Sequence, residues 1–162
     1  MTVDSRQLTE KDCFVCRKHR GEIRVPGGVI YEDELLYVSH SEIRQGQEKA
    51  YLGILFIEPK RHADGIEDLT DEEAAAVGRL ARRLSRSLKS ATDAEHIYLF
   101  RIGHHVDHFH LWVVPRYPGT PREYWGVRVD EWPGAPFGGP EELPNCAIKC
   151  GPNWPKTDAR EK

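Results

Sequence analysis

At 162 residues with a formal net charge of −3, the chain is long enough to bury the core of one domain, and it lacks the uniform basic surface that grips a nucleic-acid backbone. No apolar run approaches the roughly 20 residues that a membrane-spanning helix needs, and the polar opening MTVDSRQLTEKD lacks the apolar stretch of a signal peptide. We therefore expect a soluble, cytoplasmic protein whose partner is a small charged ligand, with no membrane and no extended nucleic acid. The cysteines form two close pairs, Cys13/Cys16 and Cys146/Cys150. A reducing compartment favours metal or free thiols over disulfides there.

In chain order, GGVIYEDELLYVSH predicts a hairpin, with Val29–Glu32 and Leu35–Ser39 rich in β-branched and aromatic residues around an acidic turn. The near-continuous apolar run YLGILFIEP from Tyr51, stopped by a proline, predicts a central strand covered on both faces. Then the period changes. In DLTDEEAAAVGRLARRLSRSLKSATD, Thr70 and Glu73 form a capping box, while Ala76, Val77, Leu80, Leu84 and Leu88 recur at helical spacing, predicting a helix over about Asp71–Ser90. HIYLFRIG from His96 and HFHLWVVP from His108 follow as two more strands. This order of elements describes an α+β fold, a mainly antiparallel sheet with helices on one side.

Alternation along the last strand puts His108, His110, Trp112 and Val114 on one face, and Phe109, Leu111 and Val113 on the other. The second set is core. Two imidazoles and an indole on the opposite face carry ring nitrogens that need partners once covered. A lone histidine there would read as a surface or hydrogen-bonded residue; two at this spacing, with His104 and His105 just before them, point to chemistry.

HFHLWVVPR resembles the signature of the histidine triad (HIT) family of nucleotide hydrolases and transferases, in which His-x-His-x-His is followed by two apolar residues and often Pro-Arg. Other segments are similar in the same order: DCFVCRKHRGE to the Cys-x-x-Cys opening of the bacterial members, VIYEDELLYV to their first hairpin, and LFIEPKRHADGIEDLTDEE to their strand, Pro-Lys-x-His turn and main helix. The resemblance covers about Asp12 to Arg116. It implies a HIT-like α+β fold, a five-stranded antiparallel sheet with two helices, commonly paired as a homodimer into a ten-stranded sheet. The chain then divides into a polar N-terminal segment, 1–11, a HIT-like domain, 12–116, and a Pro/Gly/aromatic-rich extension, 117–162.

For chemistry, the resemblance implies a nucleotide-binding hydrolase or nucleotidyl transferase, of the nucleoside phosphoramidase or dinucleoside polyphosphate hydrolase kind. His110, the middle position of the triad, would attack the α-phosphorus and form a nucleotidyl-histidine that water or an acceptor resolves. Imidazole suits this role because near neutral pH it is largely unprotonated and nucleophilic, yet can leave again from phosphorus. Trp112 stands at the third position, where indole can donate one hydrogen bond but cannot transfer a proton. In place of the family's Gly-Gln-Ser/Thr phosphate-binding run the chain has RIGHHVD, so Arg101, His104 and His105 join Trp112 as candidate substrate-binding residues. Where the family places a ribose-binding acid, His40, Ser41 and Glu42 offer no clear correspondence.

Two thiolates at Cys-x-x-Cys spacing wrap one metal tetrahedrally and need two further nitrogen or sulfur ligands. The resemblance implies a structural zinc held by Cys13, Cys16, His62 and His108. The competing ligand set joins Cys13 and Cys16 to Cys146 and Cys150. A redox role fits less well, because that motif usually sits at a strand-to-helix turn of a βαβ unit, which the sequence lacks. Two other functions stay open: a nucleotide-binding protein with little turnover, and a zinc-stabilised interaction module. The extension contains Tyr117, Tyr124, Trp125, Trp132 and Phe137, more aromatics than a disordered tail carries. We expect it to pack on the domain or on a partner subunit; the sharper reading has an aromatic or Arg122 reaching the nucleotide.

Overall fold

The capping box at Thr70 becomes the start of the longest element. Thr70 Oγ1 accepts from the Glu73 amide at 3.1 Å, and Glu73 accepts from the Thr70 amide at 2.9 Å, satisfying two donors that a bare helix end would leave orphaned. The computed structural model describes residues 10–143. In it this helix runs Asp71–Thr92, two residues beyond the expected end, and stops at Asp93 in a left-handed conformation (φ 53°). A short helix precedes it, so in chain order the elements are α1 (Phe14–His19), β1 (Val29–Glu32), β2 (Leu36–His40), β3 (Ala50–Tyr51), β4 (Leu55–Pro59), α2 (Asp71–Thr92), β5 (His96–Phe100), β6 (Leu111–Arg116) and β7 (Phe137–Gly138).

Five strands form one antiparallel sheet in the order β1-β2-β4-β6-β5, and β3 pairs with β7 in a separate two-stranded piece. The apolar stripe of α2, Ala76, Val77, Leu80, Ala81, Leu84 and Leu88, packs on Leu36, Val38, Leu55, Ile57, Phe109 and Val113. Burying such side chains stabilises the fold by roughly 1.5–3 kcal/mol each. The alternation expected along the last strand holds here: Phe109, Leu111 and Val113 face α2, and Trp112 and Val114 pack on the other side of the sheet with Tyr51, Ile54, Tyr117 and Val129. The stretch after β6 therefore covers part of that second face, held by β7 along β3.

Two strand expectations need correction. The run from Tyr51 is not one strand. Gly53 sits at φ +88°, and a Cβ there would lie 2.8 Å from Pro115 Cγ, so the chain turns between β3 and β4. Nor does the β6 ladder begin at His108. Ile57 opposite Leu111 is the last pair on that side. Beyond it the turn after Pro59 takes over, with the Phe109 amide donating to the Ala63 carbonyl at 2.6 Å. Among the described residues no helix is long and apolar enough to cross a membrane.

Replacing Gly53 by Ala should destabilise the protein by about 2 kcal/mol, from the forced positive φ and the contact with the Pro115 ring. Urea unfolding measures this as a lower midpoint at unchanged slope.

Candidate active site and metal centre

Cys13 caps α1 and Cys16 lies within it, both buried. His62 comes from the turn after β4, and His108 sits fully buried just before β6. The fold brings the four together: one ligand atom from each, all within 4.8 Å of one another. Cys13 Sγ lies 3.5 Å from His108 Nδ1, and Cys16 Sγ lies 3.4 Å from both His62 Nδ1 and His108 Nδ1. Zinc bonds of about 2.3 Å to sulfur and 2.0 Å to nitrogen, at tetrahedral angles, place such atoms roughly 3.5 Å apart. The donor set fits.

The outer nitrogens fit as well. His108 Nε2 donates to the Pro59 carbonyl at 2.8 Å, and His62 Nε2 lies 3.2 Å from an Asp64 carboxylate oxygen. Each contact keeps the proton on Nε2 and turns the Nδ1 lone pair toward the sulfurs, as metal-bound histidines require. Burial pushes the His108 imidazole down to about 4, so it is neutral. Burial, aided by the neighbouring Cys13, pushes the Cys16 thiol up to about 12. Two thiolates persist in such a pocket only against a cation. Cys146 and Cys150, the competing ligands, lie outside the described residues.

Two residues on, His110 Nδ1 donates to the His108 carbonyl at 2.7 Å. A carbonyl only accepts, so this nitrogen carries the proton and Nε2 keeps its lone pair. Burial holds the imidazole below its ordinary value, against the opposing pull of that hydrogen bond. His110 lines a cavity of about 170 Å³ whose walls include Phe14, Val15, Phe56, Ile102 and Trp112. His104 and His105 are exposed at its edge. The Trp112 ring packs 4.9 Å from that of Phe56, and its Nε1 is buried without an acceptor among the described residues.

Arg101 stays outside the cavity lining, although its charge helps to lower the His110 imidazole. It donates to the Asp64 carbonyl at 2.7 Å and sits over the Phe109 ring, bracing the turn that carries His62 rather than lining the cavity. Arg122 lies over Trp125 and is not part of the lining of this cavity. His40 is fully buried and spoken for: Nε2 accepts from the Gly53 amide at 2.9 Å while Nδ1 donates to the Ser41 carbonyl at 2.8 Å.

Sequence reasoning passed over the charged floor of the cavity. Lys18 from α1 donates to Glu58 from β4 at 2.7 Å, His19 Nε2 donates to the other Glu58 oxygen at 3.0 Å, and both Lys18 and Glu58 are fully buried. A carboxylate inside the apolar run LGILFIEP was the available signal, since it has to find a partner. Burial acts to raise the Glu58 carboxyl, but the hydrogen bond from His19 and the Lys18 ammonium outweigh it and hold it below the ordinary value. Glu42, just past β2, lies 4.0 Å from the same ammonium, and burial pushes its carboxyl up against the pull of Lys18.

Comparison with known proteins agrees with this geometry. The HIT domain family model matches residues 22–119. The chain is 24% identical over 114 residues to "Protein hit" of Bacillus subtilis (strain 168), covering 66% of this chain and 72% of that protein. Its fold is similar to a hypothetical histidine triad nucleotide-binding protein from Sulfolobus tokodaii, with TM-score 0.66 at 18% identity over 85% of this chain and 89% of the other. It is also similar to a zinc-bound histidine triad family protein from Mycobacterium smegmatis, with TM-score 0.60 at 21% identity over 87% and 96%.

Two measurements test the site. Metal analysis should find about one zinc per chain, lost in His62→Ala and kept in the Cys146→Ser, Cys150→Ser double variant; the reverse pattern would hand the site to the four cysteines. Lys18→Met strands a buried carboxylate and should cost about 3–5 kcal/mol at neutral pH. Because Glu58 is depressed in the fold, its contribution is present above the ordinary glutamate value of 4.5 and lost as pH falls through the folded value. The stranded carboxyl of Lys18→Met takes up its proton above that ordinary value, so the gap between variant and parent should begin to narrow as pH falls from neutral and narrow further below about pH 4.5 in urea titrations.

Proposed function

The chain belongs to the HIT domain family, and on that premise we propose that it binds a nucleotide conjugate and cleaves it at the α-phosphate through a nucleotidyl-histidine intermediate on His110. One observation carries the reading: His110 lines an apolar cavity of the right size for a base, with its proton held on Nδ1 by the His108 carbonyl. That tautomer leaves Nε2 as the nucleophile.

The Nε2 lone pair forms a bond to phosphorus as the bond to the leaving group breaks, and water then displaces His110 to release the nucleoside monophosphate. Phe56 and Trp112 offer flat faces to a base, each packed so that it keeps its orientation. His104 and His105, exposed at the edge, are the donors nearest to hand for phosphoryl oxygens, in place of the family's polar run. Zinc on Cys13, Cys16, His62 and His108 would supply a fixed anchor for the start of β6 and so for His110. The outer edge of β5, unpaired among the described residues and with Leu99 half exposed, suits pairing with a second copy.

A nucleotide-binding protein with little turnover is the second reading, and Trp112 favours it, because indole cannot give a leaving group its proton. Incubation with adenosine phosphoramidate or a dinucleoside polyphosphate, followed by mass spectrometry, should find the nucleotidyl adduct on His110 and none in His110→Ala. Nucleotide that raises the melting temperature without adduct or turnover would establish the second reading, and neither effect would leave an interaction module.

A further inference from the structure

A second cavity, of about 400 Å³, adjoins the one at His110, and Glu42, Phe56 and Trp112 line both. Its outer wall includes Asp130, Glu131 and Phe137, which lie beyond the family-matched residues 22–119 and are tied to the domain where Tyr51 pairs with Phe137. A nucleotide conjugate attacked at its α-phosphorus has two arms, and the arm that leaves points away from the nucleophile. The smaller cavity, walled by apolar and aromatic side chains, suits the base. The larger one is then the place for the other arm, with the carboxyl of Glu42 at the threshold between them.

Resting on the nucleotidyl-histidine reading above, we propose that the leaving-group half of the reaction belongs to this second cavity: it receives an organic amine, and Glu42 gives that amine its proton. The third triad position holds Trp112, whose Nε1–H has no acceptor among the described residues and is no acid, so the proton has to come from another element. Glu42 is the carboxyl that borders both cavities. The charged and titratable groups around it are Lys18 at 4.0 Å from α1, Glu58 from β4, His104, His105 and His110 between β5 and β6, and Arg44, Asp130 and Glu131 across the second cavity. Burial raises its carboxyl, which favours the protonated acid.

Charge selects the kind of leaving group. Asp130 and Glu131 join Glu42 in the wall, and Arg44, the sole cation among the described lining residues, is already paired with Asp130 at 3.8 Å. Arg128, which holds Glu131 at 2.6 Å, is not part of the lining. With three carboxyls against one cation the described lining is net acidic, which disfavours a polyphosphate and favours an amine or ammonium-bearing group. In the step itself, His110 Nε2 bonds to phosphorus and the phosphorus–nitrogen bond of the substrate breaks. Its electron pair stays on the departing nitrogen, which takes the Glu42 proton. The resulting carboxylate then accepts a proton from the water that attacks the nucleotidyl-histidine, restoring the acid and freeing the imidazole.

The test compares two conjugates of one nucleoside monophosphate, a phosphoramidate of an alkyl amine and the 4-nitrophenyl ester, in the parent and in Glu42→Gln. An amine needs a proton to leave; 4-nitrophenolate does not. Glu42→Gln should lower turnover of the phosphoramidate by roughly 10²-fold or more, with a much smaller fall on the ester. The alkaline limb of the parent's phosphoramidate pH profile should disappear in the variant, and Glu42→Asp should recover part of the loss. In Asp130→Asn, Glu131→Gln the rate ratio of phosphoramidate to dinucleoside polyphosphate should fall at least several-fold. Equal losses on both conjugates would make Glu42 a binding group and overturn its assignment as the acid, while the His110 adduct would survive. An unchanged amine-to-polyphosphate ratio would overturn the assignment of the cavity. A parent protein that forms no adduct with either conjugate would sink this proposal and the reading beneath it together.

Discussion

Where the ladder between β4 and β6 stops at Leu111, the two strands stay joined through a side chain: His108 Nε2 donates to the Pro59 carbonyl at 2.8 Å. Most of the site is set by that bond. It fixes which His108 nitrogen faces the cysteines, and so makes the four-ligand cluster possible. It also holds the backbone whose next carbonyl, that of His108, orients His110. Two imidazoles two residues apart thus point to different tasks because each is held by a different carbonyl. Neither Pro59 nor His108 has a partner in the β4–β6 ladder, so on that side both carbonyls are left to accept from a side chain.

Local signals were legible wherever the cause was local. The Thr70 capping box and the 3.6-residue stripe of α2 place that helix to within two residues, and period-two alternation sorts Phe109 and Val113 from Trp112 and Val114. What escaped was decided at a distance. Gly53 breaks the apolar run because Pro115, far along the chain, occupies the space a side chain would need. The start of β6 is set by where β4 ends rather than by the residues of β6. Lys18 belongs to a helix of six residues with too short a period to read, and its partner Glu58 sits on the other side of the core in sequence. His62 and His108 are joined to the cysteine pair only by family resemblance in the sequence, and by a tight cluster of ligand atoms in the fold.

The buried ion pair gives the cavity floor a character unlike its walls. Phe14, Val15, Phe56 and Trp112 offer dispersion and stacking, which tolerate many flat rings, while Lys18 and Glu58 below them already satisfy one another. Such a floor repels a ligand group that cannot return the hydrogen bonds it disturbs. Selectivity at this end therefore comes from what the floor refuses as much as from what the walls attract.

The pairing of β3 with β7 is also the longest-range strand contact of the described chain. Ala50 meets Gly138 across most of the described chain, so closing that contact costs more loop entropy than the β1–β2 hairpin. The nucleophile's half of the site lies on β4, β6 and the turn between β4 and α2, which form through shorter loops. The outer wall with Asp130 and Glu131 depends instead on the longer closure. Local opening of that outer contact would leave His110 held in place by its own strands, with the space beside it unenclosed.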